Sequence, residues 1–257
     1  MGYREVGPSP QLRSLVAAVW AFPSNPHPHR VLPDGCIDVV VLRGRARVVG
    51  AMQQAVVVPA SPAPVAGARF RPGEAARLFP FLSELTDDEA LLAGVWGDDG
   101  RRLEAELLEA MVPGDEPMTA TSLLARTAPI LEASLVRRLA TDGDRVDPRT
   151  RAAAALLGRG VSVQQVATEL GLSERQLSRS FSQRVGLSPK TFARVRRLQR
   201  ATILLQEGAL PGDAALSAGY ADQPHFTRES RDLAGVTPTA LAAEVRDGFD
   251  TSVPVPL

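Results

Sequence analysis

The sequence predicts an α+β N-terminal domain, with a small β-sheet or partial barrel plus helices, followed by an all-α domain with two helix-turn-helix motifs joined by a long helix. Three observations support this prediction. Residues 31–73 contain short β-branched runs separated by Pro and Gly clusters, which is typical of short strands. Residues 74–141 change to the apolar spacing of helices. Residues 161–240 hold two Gly-terminated helix pairs with a long helical pattern between them.

These changes of pattern divide the chain into two domains. We expect the N-terminal domain to act as a sensor or interaction module. The predicted boundaries are 1–141 for the N-terminal domain (β-rich 1–73, helical 74–141), 142–148 for a linker, 149–247 for the all-α domain and 248–257 for a flexible tail.

The strands of the N-terminal domain are predicted from residue type and turn signals. Residues 12–22 fit a short helix that runs into a strand, and Ile37 to Leu42 is a β-branched run. Residues 45–50, 56–58 and 65–70 complete the predicted strands, with Pro and Gly between them.

The helices of this domain follow from residue 74 onward, and the first is predicted to start at residues 73–76 with Leu78, Phe79 and Leu82 as its apolar positions. One is predicted from Leu85 to Trp96 with Thr86 as its N-cap, and another over residues 102–111. A further helix is predicted over residues 121–139, where an internal proline, Pro129, would kink or split it.

The first helix-turn-helix pattern lies at residues 163–181. Val166 and Leu170 fall on one helical face, and Gly171 ends that helix because glycine adopts the left-handed conformation without steric cost. Ser173 is then a predicted N-cap for the second helix of the motif.

The second pattern repeats this plan with a slightly longer turn. Gly219 ends its first helix, Asp222 is a predicted N-cap and Pro224 stands in the first turn, where its missing N–H does no harm. Phe226 and Leu233 are seven residues apart and therefore share one buried face.

The second helix of each motif also has an outward face. In the first motif Leu177 and Phe181 recur four residues apart and face inward. The outward side chains can donate hydrogen bonds to phosphates and base edges. The predicted DNA-binding residues are Arg175, Ser178, Arg179, Gln183, Gln223, Thr227, Arg228 and Arg231.

A long helix joins the two motifs. Ser188 and Pro189 fit its N-cap and first position. A helix of about 18 residues spans about 27 Å, which with the flanking turns suits two recognition helices roughly 34 Å, or one DNA turn, apart. A solvated charged face explains Arg194, Arg197 and Arg200.

Residues of both motifs and of the spacer resemble the DNA-binding domain of AraC/XylS-type bacterial transcription regulators. The resemblance implies DNA binding, and it suggests that Arg196 pairs inside the domain. One departure is Ser230, where the family usually has a large apolar residue. The matching residues are Ala167, Gly171, Ser173, Leu177, Arg179, Phe181, Gly186, Ser188, Pro189, Phe192, Arg196, Leu198, Ala201, Leu204, Leu205, Ala218, Gly219, Tyr220, Asp222, Gln223, His225, Phe226, Arg228, Gly235, Thr237 and Pro238.

The N-terminal domain also carries a resemblance, to an uncharacterised small β-domain that often precedes this type of DNA-binding domain. Four phrases carry it over roughly residues 1–112. They are Leu32-Pro33-Asp34-Gly35-Cys36-Ile37-Asp38, Phe70-Arg71-Pro72-Gly73, Glu84-Leu85-Thr86-Asp87 and Trp96-Gly97. This resemblance assigns no chemistry.

Charge is distributed unevenly along the chain, although the formal net charge is zero. Residues 145–246 carry 15 Lys and Arg against 9 Asp and Glu, whereas residues 1–144 carry 14 against 18. A basic C-terminal half on an acidic N-terminal half fits a nucleic-acid-binding domain attached to a different one. A compositional preference for arginine is the alternative explanation.

The N-terminal domain offers candidates for a ligand pocket. Trp20, Phe70 and Trp96 could form its walls, and Asp34, Asp38 and Arg71 its polar contacts. Core packing of the aromatic residues, and pairing of Arg71 with Asp34, Asp38 or Glu84, are the alternatives.

Neither a cofactor nor a metal is predicted. His27, His29, Cys36 and Asp38 match no established zinc spacing, and Cys36 is more simply a small buried hydrophobe. GxSxG, a P-loop and GxGxxG before a helix are absent from the sequence. Since no nucleophile–base set is evident, we expect a regulator without enzyme activity.

The expected partner is double-stranded DNA. RNA polymerase, a small-molecule effector and a second copy of the chain are further possible partners. A protein-interaction module or an N-terminal enzyme domain fused to the helix-turn-helix domain are the rival hypotheses. A cytoplasmic location is expected, because the first ten residues lack the apolar segment of a signal peptide and no apolar run spans a membrane.

Overall fold

The computed structural model of the protein describes residues 2–24, 27–115, 117–142 and 147–246. Residues 143–146 of the predicted linker and the predicted tail at 248–257 lie outside the described residues.

Strands fill the first part of the N-terminal domain. Their bounds are Arg4–Val6 (β1), Val16–Phe22 (β2), His29–Val31 (β3), Ile37–Leu42 (β4), Arg45–Val49 (β5), Val56–Val58 (β6), Val65–Phe70 (β7) and Glu89–Leu91 (β8). The larger sheet has the order β1-β2-β7-β4-β5-β8, and β3 pairs with β6 in a separate two-stranded sheet. Every pair is antiparallel, which confirms the predicted small sheet.

Alternation of side chains gives the larger sheet two different faces. In β4, Val39 and Val41 are buried in the main apolar core, whereas Asp38 and Val40 line a cavity on the opposite face. Strand β7 alternates in the same way, because successive side chains of any strand point to opposite faces. Helices therefore cover one face, and the two-stranded sheet lies over the other.

Three helices complete the N-terminal domain. They are Leu92–Trp96 (α1), Asp98–Ala110 (α2) and Ala120–Asp142 (α3), and short 3-10 turns lie at Pro10–Leu12, Ala75–Arg77 and Leu82–Leu85. The helix predicted to start at residues 73–76 is wrong, because only the 3-10 turns at Ala75–Arg77 and Leu82–Leu85 form there. Of the two effects predicted for Pro129, splitting does not occur, because α3 runs through it.

The prediction of one helix from Leu85 to Trp96 is wrong in its first half. That part forms β8, which pairs with β5 at the edge of the sheet. Thr86 is not an N-cap, since its hydroxyl donates to the carbonyl of Gly186. Asp87 adopts a left-handed backbone with φ of 58°, which no helix can contain.

The C-terminal half is helical, as predicted. The bounds of its helices are Pro148–Gly158 (α4), Val163–Glu169 (α5), Glu174–Val185 (α6), Pro189–Gln206 (α7), Pro211–Ala218 (α8), Gln223–Ala234 (α9) and Pro238–Arg246 (α10). Helices α5 and α6 form the first motif, α7 is the long connector, and α8 and α9 form the second motif.

The apolar core extends across the boundary between the two predicted domains. The main cluster joins Phe70 of the sheet to Phe181 of α6 and Phe192 of α7. A second cluster holds the core of the second motif together with Leu32, which comes from the segment between β3 and β4. Both motifs are therefore packed directly against the N-terminal domain. The described part of the chain has no helix long and apolar enough to cross a membrane.

Candidate functional site

Helix α6, the second helix of the first motif, begins at a well-defined cap. The backbone N–H of Gln176 donates to Ser173 Oγ at 3.2 Å, and the backbone N–H of Ser173 donates to Gln176 Oε1 at 2.9 Å. This reciprocal pair is a capping box, which satisfies two N–H groups at the helix start. Gly171 has φ of 64° in the preceding turn, as its prediction requires.

The two sides of α6 separate as predicted. Leu177 and Phe181 are buried, and the ring of Phe181 meets Phe192 edge-on with centroids 5.3 Å apart. Arg175 and Arg179 are exposed, and they form no ion pair with any described residue. Gln183 is also exposed and Ser178 is half-buried on the same helix.

Helix α9 repeats the arrangement in the second motif. Asp222 caps it, and its carboxylate accepts from the backbone N–H of His225 at 2.6 Å. Phe226 and Leu233 are buried. The outward predicted residues are arranged as follows: Gln223, Arg228 and Arg231 are exposed, and Thr227 is half-buried with its hydroxyl donating to the Gln223 carbonyl.

Three arginines of α7 bond to neighbouring helices and do not form a solvated charged face, so that expectation is wrong. Arg194 and Arg197 donate to the Glu229 carboxylate on α9 at 2.8–3.0 Å. Arg197 also lies over the Tyr220 ring, 4.7 Å from its centroid. Arg200 donates to the Ala218 carbonyl at 3.0 Å. These bonds fix α9 and α8 against α7.

Arg196 is buried at the domain junction, whereas the resemblance suggested pairing inside its own domain. Its Nη1 lies 3.5 Å from the backbone carbonyl of Asp34. Next to it, Gln199 donates through Nε2 to the Pro33 carbonyl at 2.7 Å. Gly35 lies against the ring of Phe192, where a Cβ atom would stand 2.6 Å from the ring. The segment 32–36 therefore sits directly on α7.

A basic groove between the two motifs was not singled out in the sequence. It runs from the start of α5 across α7 to the end of α8, and Arg159 and Lys190 are exposed along it. These residues come from separate helices, so no local spacing connects them.

The N-terminal domain contains a partly open cavity of about 370 Å³ between the larger sheet and the β3–β6 sheet. Three predicted pocket residues line it: Trp20, Asp34 and Asp38. Most of the remaining lining is aliphatic or aromatic, including Phe22 and Val58.

Buried charges form the polar end of this cavity. Arg69 Nε lies 3.2 Å from Asp34 Oδ2 and 3.5 Å from Asp38 Oδ1, and Asp38 also accepts from Trp20 Nε1 at 2.7 Å. Burial raises the pKa of Asp38, although the guanidinium of Arg69 works against that rise. Sequence reasoning missed Arg69. The alternation of β7 was the signal that could have placed it beside Asp38.

Three other predicted pocket residues lie elsewhere, which corrects their assignment. Phe70 and Trp96 are in the core on the opposite face of the sheet, where both pack on Phe79 at centroid distances of 5.9 and 5.1 Å. Arg69 and Phe70 are consecutive residues of β7, so their side chains point to opposite faces of the sheet. Arg71 donates to the Arg13 carbonyl at 2.9 Å in a separate crevice.

Cys36 is buried beside the charged cluster. Burial raises the pKa of its thiol well above the usual value, and the Asp34 carboxylate raises it further. The thiol is therefore protonated at neutral pH and is a poor nucleophile. Among the described residues, no group of three or more His, Cys, Asp or Glu side chains is placed to hold a metal.

The fold and the exposed arginines define a helix-turn-helix protein with a β-sheet domain in front. Sequence comparison gives two family models: residues 166–244 match a helix-turn-helix domain, and residues 4–90 match a domain of unknown function (DUF6597).

Individual relatives agree with the first of these models. A transcriptional regulator of Chromobacterium violaceum, described as AraC-type, is 30% identical over 38% of this chain and 92% of its own, with a TM-score of 0.36. The probable bifunctional transcriptional activator/DNA repair enzyme AlkA of Mycobacterium tuberculosis is 36% identical over 91 residues. The uncharacterized HTH-type transcriptional regulator YbfI of Bacillus subtilis is 33% identical over 66 residues.

These matches are confined to part of each curated relative. They cover 35% of this chain and 18% of the Mycobacterium protein, and 26% of this chain and 24% of the Bacillus protein. Residues 166–244 therefore form a helix-turn-helix domain of the AraC/XylS type, like that of these transcriptional regulators.

Proposed function

We propose that this protein is a sequence-specific regulator that inserts α6 and α9 into two successive major grooves of DNA. The observation that carries the proposal is that the arginines fall into two groups, one bonded within the protein and one exposed. Those of α7 are bonded to Glu229 and to carbonyl groups, whereas Arg175, Arg179, Arg228 and Arg231 are exposed without an ion-pair partner among the described residues.

Each exposed arginine has a role set by the geometry of guanidinium. A guanidinium can bond guanine O6 and N7 together in the major groove, or bridge phosphate oxygens. Gln183 and Gln223 can bond adenine in the same grooves, and Ser178 and Thr227 can reach phosphates or bases. Arg159 and Lys190 in the basic groove would contact the backbone between the two half-sites.

The cavity of the N-terminal domain is the proposed effector site. Its wall includes Asp34 and Cys36, and the same segment bonds α7 through the carbonyls of Pro33 and Asp34. A molecule in the cavity that favours one position of segment 32–36 would change how α7 holds the two motifs. Such coupling needs two states with different affinity for the effector.

An enzymatic role for the N-terminal domain has less support. The buried thiol of Cys36 is protonated, and the carboxylates of Asp34 and Asp38 are engaged with Arg69. The repair activity in the name of the Mycobacterium relative belongs to a protein of which this chain covers 18%.

Selection of bound fragments from genomic DNA by the full chain tests the proposal. We expect enrichment of sites with two protected segments about 10 base pairs apart, and binding that weakens steeply with salt. Absence of enrichment at low salt, with a folded protein, would contradict it. Enrichment of only one protected segment would contradict the use of both helices.

A further inference from the structure

The cavity has the chemistry of a site for one class of ligand. Two residues that line it, Arg69 and Asp34, are about 95% buried. Arg69 Nη1 has no hydrogen-bond partner among the described residues. A buried donor left unpaired costs about 1–3 kcal/mol, so this atom favours a ligand that brings an acceptor oxygen.

The charge of the lining limits which acceptor can enter. Five carboxyl-bearing residues line the cavity, against the single guanidinium of Arg69. They are Asp34, Asp38, Asp87, Asp88 and Glu89. Asp87 and Asp88 are exposed and Glu89 is paired with Arg47, so the two carboxyls beside Arg69 decide the selectivity. A carboxylate or phosphate brought next to Arg69 would be repelled by Asp34 and Asp38, which already share its guanidinium.

A cationic head is disfavoured for a different reason. An ammonium group carries donors and no acceptor, so it would leave Arg69 Nη1 unpaired and would lie beside a fixed positive charge. Asp38, which could attract it, already accepts from Trp20 and lies 3.5 Å from Arg69 Nε.

The remainder of the cavity is apolar. Phe22, Val31, Val40, Leu42 and Val58 line it on two sheets that face each other. Such walls favour an aliphatic or aromatic body and offer it no hydrogen bonds.

From these contacts we infer that the cavity binds an uncharged amphipathic molecule, with an apolar body and a carbonyl or hydroxyl head. The head accepts a hydrogen bond from Arg69 Nη1 and, if it also carries a donor, gives one to Asp38. An amide, an alcohol or a lactone with a medium-length chain belongs to this class. The inference rests on the proposed effector role of the cavity and names the chemistry of that effector.

Fluorescence of Trp20 measures binding in the full-length protein. Trp96 lies in the core away from the cavity, so Trp96→Phe leaves Trp20 as the single tryptophan reporter. The probes are octanamide, octanoate and octylammonium, which share an eight-carbon chain and differ in the charge of the head. We expect octanamide to bind at least about tenfold more tightly than either charged probe.

Equal or tighter binding of octanoate or of the ammonium probe would overturn the inference. Absence of binding by all three would overturn it as well. Octanamide binding that leaves DNA affinity unchanged would support the ligand class and contradict the effector role. Failure of the protein to bind DNA with or without a probe would contradict the proposed DNA-binding function and would not bear on the ligand class.

Two pairs of variants locate the probe. Val58→Trp should abolish octanamide binding because Val58 lines the cavity, and Val57→Trp should retain it because Val57 is exposed outside the lining. Asp38→Asn keeps an acceptor for Trp20 but removes one negative charge. The ratio of octanoate affinity to octanamide affinity should therefore rise about tenfold. An unchanged ratio for Asp38→Asn, or equal binding by both tryptophan variants, would contradict the assigned position.

Discussion

At the scale of single residues, Ser230 shows how this chain replaces an apolar contact with a hydrogen bond. Regulators of the family that this motif resembles usually have a large apolar residue at this position. Ser230 is fully buried, and its hydroxyl donates to the Val236 carbonyl at 2.8 Å. This bond ties α9 to the segment before α10, so the second motif does not depend on bulk at this position.

Ser230→Ala should lower the free energy of unfolding by about 0.5–1.5 kcal/mol, because the hydrogen bond to the half-buried Val236 carbonyl is lost. Ser217→Ala is the control, since Ser217 is exposed on α8. Denaturant unfolding of the full chain measures both. Equal stability of the two variants would show that the hydroxyl contributes nothing.

Phe181 and Arg179 test the two sides of α6. Phe181→Ala should destabilise the protein by about 3–5 kcal/mol, because it leaves a cavity beside Phe192. Arg179→Ala should leave the free energy of unfolding nearly unchanged, since the side chain is exposed. Similar losses in the two variants would contradict the assignment of inner and outer faces.

At the scale of secondary-structure elements, Glu229 connects α9 to α7. Its carboxylate accepts from Arg194 and from Arg197. Burial opposes its ionisation, but the hydrogen bonds from Arg197 and Arg194 outweigh burial and lower the pKa of Glu229 below its usual 4.5. The ionised form is therefore the one that holds the two helices together.

This shift makes part of the stability depend on pH. Because the pKa is lower in the folded state, the contribution of Glu229 is fully present above pH 4.5 and is lost as pH falls through the folded value. Glu229→Gln should lower stability at neutral pH and flatten the decline below pH 4.5. Asp232→Asn is the control, because Asp232 is exposed. A decline of unchanged steepness in Glu229→Gln would contradict this account.

Local signals predicted most of the helical half and less of the sheet domain. Gly171, Ser173 and Asp222 act within a few residues of the helix they start or end, so their roles are visible in the sequence. Strands β1, β3 and β8 were missed because none of them contains a β-branched run, and each is fixed by pairing: β1 and β8 at the edges of the larger sheet and β3 with β6.

Of the two candidate sites, the DNA-binding faces could be predicted from the sequence and the cavity could be predicted only in part. The outward faces of α6 and α9 follow from helical periodicity, whereas the cavity depends on which face of a sheet is covered. Phe70 and Arg69 are neighbours in sequence and lie on opposite faces. Aromatic character alone therefore assigned Phe70 to the wrong side.

At the scale of the whole molecule, the two halves share their cores. Leu32 is buried in the second motif, and Phe192 of α7 lies against Gly35. A backbone turn of the N-terminal domain is thus part of the packing of the DNA-binding helices. Unfolding of either half exposes the apolar surface of the other.

We therefore expect the full chain to unfold in one transition, with tryptophan fluorescence and far-UV circular dichroism coinciding. Gly35→Ala should shift both signals together, because its Cβ would press on Phe192. Gly44→Ala is the matched control: it has a similar φ of 70° but open space around it. The excess loss in Gly35→Ala should be about 1–3 kcal/mol. Two separate transitions would show that the halves are independent.

The central claim is that two helices recognise two half-sites, and one measurement tests it directly. Fluorescence anisotropy compares binding of the selected duplex with duplexes in which one half-site is scrambled. Arg179→Ala and Arg228→Ala should each weaken the intact site by about 1–3 kcal/mol, and Arg102→Ala, exposed on α2, should not.

The pattern across duplexes decides the outcome. For Arg179→Ala, the affinity difference between the intact duplex and the scrambled duplex should shrink when one half-site is scrambled and stay unchanged when the other is scrambled. For Arg228→Ala, the two half-sites should exchange roles. Loss of discrimination at both halves by each variant, or at neither, would contradict recognition by two separate helices.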